Sequence, residues 1–141
     1  MALTREEREQ FLAESHIAAL AVDAGEGRAP LTVPIWYQYT PGGDVWVLTG
    51  RDSRKHEFLA AAGRFSLMVD RETPTIRYVS VEGPVLDITP GTHDQLVEMT
   101  ARYLPADKVD GYVKYSEESL GDNVVVRMRP QRWLSADLGS V

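Results

Sequence analysis

Residues 31–55 read LTVPIWYQYTPGGDVWVLTGRDSRK, and this stretch decides the fold. Leu31 to Tyr39 is rich in β-branched and aromatic residues, the composition of a strand. Pro41-Gly42-Gly43-Asp44 predicts a hairpin turn, and Val45 to Thr49 returns as the next strand. Pro34 has no N–H to give to a ladder, so its position faces an edge, a bulge or a ligand. Gly50 then permits a sharp turn, and Asp52 or Ser53 caps a helix running to about Ala62. Two strands, a tight turn and a helix entered through Ser53-Arg54-Lys55 thus follow in close succession.

Working outward, Thr4-Arg5-Glu6-Glu7 fits a capping box, which starts a helix from about Arg5 to Glu14 with Phe11 and Leu12 as its buried contact. Ile17 to Val22 is a compact strand, ended by Asp23 and the Gly25-Glu26-Gly27 turn. On the other side, Phe65 to Val69 and the long run Ile76 to Ile88 are strands, the latter with a bulge or bend at Gly83-Pro84. Thr92 to Tyr103 is helical, with Leu96, Met99 and Tyr103 at helical spacing, and Leu104-Pro105 stops it. Asp107 to Tyr115 makes another short helix, Asn123 to Met128 the last long strand, and a tail surrounds Trp133. The six strands with flanking short helices predict a mainly β fold, a closed or nearly closed antiparallel barrel. Such a small barrel fills its interior with side chains, so a ligand must sit on the outer face, often at a subunit boundary. No repeat or linker interrupts residues 1–141, which read as one domain.

Composition narrows the function. The net charge of -6, spread along the chain, disfavours a nucleic-acid partner, which needs a basic stripe. Without cysteine there is no disulfide, thiolate metal site or cysteine nucleophile. Met1 to Gln10 is charged and lacks the apolar core of a signal peptide, and no apolar run approaches the ~20 residues that span a bilayer. A soluble, cytoplasmic protein without membrane contact is expected.

Arg51 to Lys55 is an island of positive charge in this acidic chain. The opening turn of a helix exposes free N–H groups and the positive end of its dipole, where anions bind. Arg54 adds planar bidentate donors and Lys55 a point charge, a pair suited to phosphate. By spacing alone the first reading of these cations is that they solvate a helix start and pair with Asp52 and Glu57.

Their context resembles a known family. Thr32-Val33-Pro34-Ile35-Trp36, a hairpin, Val45 to Thr49 and then Ser53-Arg54-Lys55 are similar to the FMN-binding split-barrel family. That family includes the pyridoxamine phosphate oxidases and the flavin- and deazaflavin-dependent oxidoreductases. Arg77 to Gly83 looks like its long strand, and Pro130-Gln131-Arg132-Trp133 like its C-terminal strand, so the likeness runs from Ile17 to Trp133. The resemblance implies a homodimeric split β-barrel with cofactor sites at the subunit interface. Val33, Pro34, Ile35 and Trp36 would line the cofactor ring, with Leu48 and Thr49 adding backbone and hydroxyl contacts. Ser53, Arg54 and Lys55 would take the phosphate, while Tyr78 and Trp133 would arrive from the partner chain.

The tail Ser135 to Val141 lacks the Arg- and His-bearing segment of true pyridoxamine phosphate oxidases, so the substrate is a different small molecule. The short chain, the Thr-Pro-Thr-Ile-Arg-Tyr-Val run and the Val-Glu-Gly strand look more like the deazaflavin branch. F420 is therefore expected ahead of FMN, with Arg51, Arg71 and Arg77 available for its longer anionic tail.

No other chemistry stands out. His16, His56 and His93 lack metal-ligand spacing, no metal is expected, and His93-Asp94 reads as a surface pair. Glu82 and Asp87 are an odd number of residues apart and on regular pleating face opposite sides. No catalytic side chain can be named, which suits a cofactor that performs hydride transfer itself. The same residues also suit a flavin- or F420-binding carrier or sensor, or a dimeric barrel with merely solvated cations.

Overall fold

The computed structural model describes residues 1–140, and its elements begin where the local signals place them. Thr4 caps α1 (Arg5–Ala13): its hydroxyl accepts from the Glu7 N–H at 3.2 Å, and the Glu7 carboxylate accepts from the Thr4 N–H at 2.9 Å. The box satisfies two amides that the helix leaves unpaired. Phe11 and Leu12 on α1 are buried in the core, each contributing about 1.5–3 kcal/mol by leaving water.

The strands are β1 (Ala18–Val22), β2 (Leu31–Ile35), β3 (Tyr37–Tyr39), β4 (Val45–Gly50), β5 (Arg64–Arg71), β6 (Arg77–Pro90), β7 (Asn123–Met128) and β8 (Arg132–Asp137). They form one curled antiparallel sheet in the order β2-β1-β5-β6-β7-β4-β3, with β8 paired to β6. β2 and β3 lie at opposite ends of that order yet are separated in the chain only by Trp36. The sheet therefore curls until its ends meet, and it splits there. Tyr103 fills the break: its hydroxyl accepts from the Tyr37 N–H at 3.0 Å and donates to the His16 carbonyl at 2.7 Å. Alternate residues such as Leu20, Val47, Leu67 and Val81 fill the interior, as a small barrel requires.

The barrel thus has eight strands among the described residues, not the six expected. Leu31 to Tyr39 divides at Trp36, and the tail around Trp133 is a strand because β6 has a free edge for it. β6 pairs with β5 and β8 along its first half and with β7 along its second. Gly83 stands at the changeover, where a Cβ would fall 1.7 Å from the Arg129 carbonyl oxygen, so only glycine allows that crossing. The expected bend at Gly83-Pro84 is real, and a bulge follows between Val85 and Asp87. That bulge shifts the pleat: Val81 and Val85 face the core before it and Ile88 after it. Glu82 and Asp87 consequently share the outer side, contrary to regular alternation. They remain unpartnered with each other, since Asp87 is bound bidentately by Arg127 at 3.0 and 2.9 Å.

Pro34 sits on β2, an edge strand, as a residue without an N–H should. Ser53 caps α2 (Arg54–Ala62), and α3 (His93–Tyr103) and α4 (Ala106–Ser119), which lie between β6 and β7 in the chain, pack against each other. The last helix is longer than Asp107 to Tyr115, because Val109, Val113 and Ser116 give it a continuous buried stripe. Among the described residues no helix is long and apolar enough to cross a membrane.

Candidate functional site

Along β4 the side chains of Val45, Val47 and Thr49 point into the barrel, while Trp46 and Leu48 point outward. Leu48 meets Leu96, Val109 and Val113 from the α3–α4 pair, forming a second, smaller apolar cluster outside the barrel. Between that cluster, the β2–β3 break and the start of α2 lies a cleft of about 450 Å³. Pro34, Ile35, Trp36, Leu48 and Lys55 line it together with Met99, Tyr112, Ser116 and Asn123. Trp36 is fixed there by stacking on Tyr103 at 4.8 Å and by tilted contact with Tyr112 at 5.4 Å. A polar annex of about 310 Å³ adjoins the cleft, sharing Leu48, Leu96, Ser116 and Asn123.

At the start of α2, the Ser53 hydroxyl accepts from the His56 N–H at 3.2 Å and donates to the Gly50 carbonyl at 2.8 Å. The Thr49 hydroxyl lies 3.1 Å from it. His56 holds the Arg51 carbonyl through Nδ1 at 2.6 Å. The amides of Arg54 and Lys55 have no acceptor among the described residues, as expected for a first helical turn. Arg51 is matched by Asp122 at 3.2 Å, whereas neither Arg54 nor Lys55 forms an ion pair among the described residues. Pairing of these two cations with Asp52 and Glu57 does not occur.

The structure therefore brings together Pro34, Ile35, Trp36, Leu48 and Lys55, with Arg54 exposed beside them. Val33 instead packs on the core side of β2. Thr49 is 3% exposed and its hydroxyl serves the helix cap, as does that of Ser53. Tyr78 lies on the outer side of β6, paired in register with Ala136. Trp133 faces the other way, packed against the core, edge-on to Tyr39 at 6.1 Å and beneath the Arg8 guanidinium at 4.8 Å. Neither Tyr78 nor Trp133 lines the cleft within one chain. The helical wall of Met99, Tyr112 and Ser116 was not named from sequence; the apolar spacing of Leu96 and Met99 was the available signal.

Arg71 and Arg77 are not free for an anionic tail, because both bind Asp137 at the far turn between β5 and β6. Burial pushes the Tyr37 phenol above its ordinary value and the Tyr39 phenol up to about 12, so both stay protonated. His93 pairs across to Glu117 at 3.0 Å rather than with Asp94, and that carboxylate raises the imidazole pKa.

A curled split sheet with an apolar cleft on its outer face and open cations at a helix start defines the split β-barrel class. The chain matches the family model for pyridoxamine 5'-phosphate oxidase over residues 4–136, and it belongs to that family. Similar solved structures include the conserved hypothetical protein Rv2991 of Mycobacterium tuberculosis, 25% identical with a TM-score of 0.76, covering 97% of this chain and 86% of that one. An F420 reductase is 24% identical with a TM-score of 0.70, covering 89% and 94%. An FAD-binding protein of Mesorhizobium loti is 18% identical with a TM-score of 0.62, covering 97% and 95%, and with the reductase shares the fold. No curated protein sequence matches. The residues present fit a flavin-type group: apolar and aromatic walls for a flat ring, with two unmatched cations and two free amides for a phosphate.

Proposed function

We propose that this chain is an oxidoreductase using F420, with FMN as the alternative, to transfer hydride to or from a small organic substrate. The observation that carries this is the juxtaposition of the Trp36–Leu48 cleft with the unmatched Lys55 at the start of α2. The likeness to an F420 reductase supports the choice of F420, and that to an FAD-binding protein keeps FMN in play.

When bound, the cofactor supplies the hydride chemistry. Pro34, Ile35, Trp36 and Leu48 would hold its ring in a dry, flat slot, where stacking on Tyr103 keeps Trp36 from moving. Arg54, Lys55 and the first amides of α2 would take the phosphate. Ser53 and Thr49 serve this grip indirectly by fixing the helix start.

The reading includes a homodimer, with residues 1–141 as one cofactor-binding domain. Pro34, Ala19, Met68, Ser80 and Leu134 fall in register as one row across the outer face of the sheet. Met68 and Leu134 on that row are 37% and 65% exposed. A second copy seated there would border the cleft at Pro34 and bring its own Tyr78, which shares that face. Trp133 is left out, because its ring is held on the opposite side.

Absorbance of the purified protein and titration with F420 and FMN test the proposal. Micromolar or tighter binding of one is expected, and binding of neither overturns it. A bound cofactor that no candidate substrate oxidises or reduces marks a carrier or sensor instead. In sedimentation, Leu134→Glu should yield monomer with weakened cofactor binding; a monomeric wild type removes the interface.

A further inference from the structure

Two polar side chains where the cleft meets its annex lack a partner. Ser116, on the buried stripe of α4, is 3% exposed, yet its hydroxyl makes no hydrogen bond among the described residues. The carboxamide of Asn123 makes none either, although its backbone carbonyl accepts from the Gly91 N–H at 2.8 Å. Both line the apolar cleft and the polar annex. Both side chains open onto the cavity with their hydrogen-bonding capacity unused, and can offer it to a molecule bound there.

The chemistry of that partner follows from its surroundings. Ser116 and Asn123 are uncharged and can each donate and accept. The charges nearby are already matched, Asp122 by Arg51 at 3.2 Å and Glu117 by His93 at 3.0 Å. Nothing there calls for an ionic group. Asn123 lies opposite Gly50 in register, at the strand end from which the chain enters Ser53 and α2. Asn123 thus lies close in the sheet to the start of α2, and Ser116 lines the same cleft with it, Leu48 and Lys55.

Granted the cofactor reading above, we propose that Ser116 and Asn123 form a subsite for the hydroxyl-bearing chain linking ring to phosphate in a flavin or deazaflavin. A polyol is uncharged and presents alternating donors and acceptors, which these two side chains complement.

Three flavins of increasing length test the subsite by fluorescence quenching: lumiflavin is the ring, riboflavin adds the polyol, and FMN adds the phosphate. Ser116→Ala and Asn123→Ala should each weaken riboflavin and FMN about three- to tenfold and leave lumiflavin unchanged. Lys55→Ala should weaken FMN alone. If only deazaflavins bind, F420, its phosphate-free ring-polyol fragment and the bare ring replace the three. Unchanged riboflavin affinity in both variants overturns the subsite and assigns the pair to water. Equal losses for all three ligands also overturn it, as a general distortion of the cleft. A wild type that binds neither series removes the cofactor reading itself, and the subsite with it.

Discussion

The chain gathers cations in two places and treats them in opposite ways. At the turn between β5 and β6, Arg77 donates to Asp137 at 2.8 Å, Arg71 lies 3.5 Å away, and the Thr75 hydroxyl adds a bond at 2.9 Å. Burial raises the Asp137 carboxyl, but Arg77, Thr75 and the Gly139 N–H outweigh it and hold the pKa below its ordinary value. The chain ends meet at the same residue, since the Asp137 N–H donates to the Met1 carbonyl at 2.8 Å. At the start of α2, by contrast, Lys55 lines the cleft and Arg54 is exposed beside it, neither with an ion-pair partner among the described residues. A matched cluster holds chain together; an unmatched one beside a cavity waits for a ligand. Breaking a buried ion pair is costly even when the pair itself adds little.

The strongest test of that contrast is Asp137→Ala, which strands two half-buried guanidinium groups. Its Tm should fall by on the order of 10 °C, while cofactor affinity of the folded protein stays within about twofold. A tenfold loss of affinity in calorimetric titration would mean that the two regions are not independent. The converse change is Arg54→Ala with Lys55→Ala. Each should cost about 1–3 kcal/mol of cofactor binding, seen as a fall of roughly a hundredfold in the double variant. The Tm of the free protein should move by less than about 1 °C; a larger drop would reveal a structural role.

Acid sharpens the same comparison. Because the folded pKa of Asp137 is depressed, its contribution is complete above the ordinary carboxylate value, ~3.9, and is lost as pH falls through the lower folded value. Melting curves of wild type and Asp137→Asn should therefore converge at low pH and separate as pH rises; a constant gap would refute the charge argument. The smallest effect is expected at His93, whose folded pKa is raised by Glu117. Its contribution is present below the ordinary histidine value and disappears as pH rises through the folded one. His93→Gln should lower Tm by less than about 2 °C at pH 6 and by nothing at pH 9, as befits an exposed pair.

Much of the fold was legible because its signals are local. Thr4 and Glu7, Ser53 at its cap, the Pro41–Asp44 turn and the alternation along β4 depend on neighbours in the chain. The break at Trp36 was not legible, because its cause is Tyr103, a side chain from a distant helix. Nor was β8, which exists through pairing with β6, or the parity of Asp87, which a bulge inverts. Of the cleft's lining, Pro34, Trp36, Leu48 and Lys55 fall within one contiguous stretch of sequence. Ser116 and Asn123 come from elsewhere in the chain, and no short-range pattern marks a buried serine as unpartnered.

By itself, then, the sequence determined the kinds of element, most of their limits and the presence of cations at a helix start, since backbone preference and capping act over a few residues. Only the tertiary structure decided which cations stay open. Arg71, Arg77, Arg54 and Lys55 are alike as letters, and an ion pair depends on what the fold carries to within a few ångströms. Asp137 was brought to the first two, and a cleft to the last.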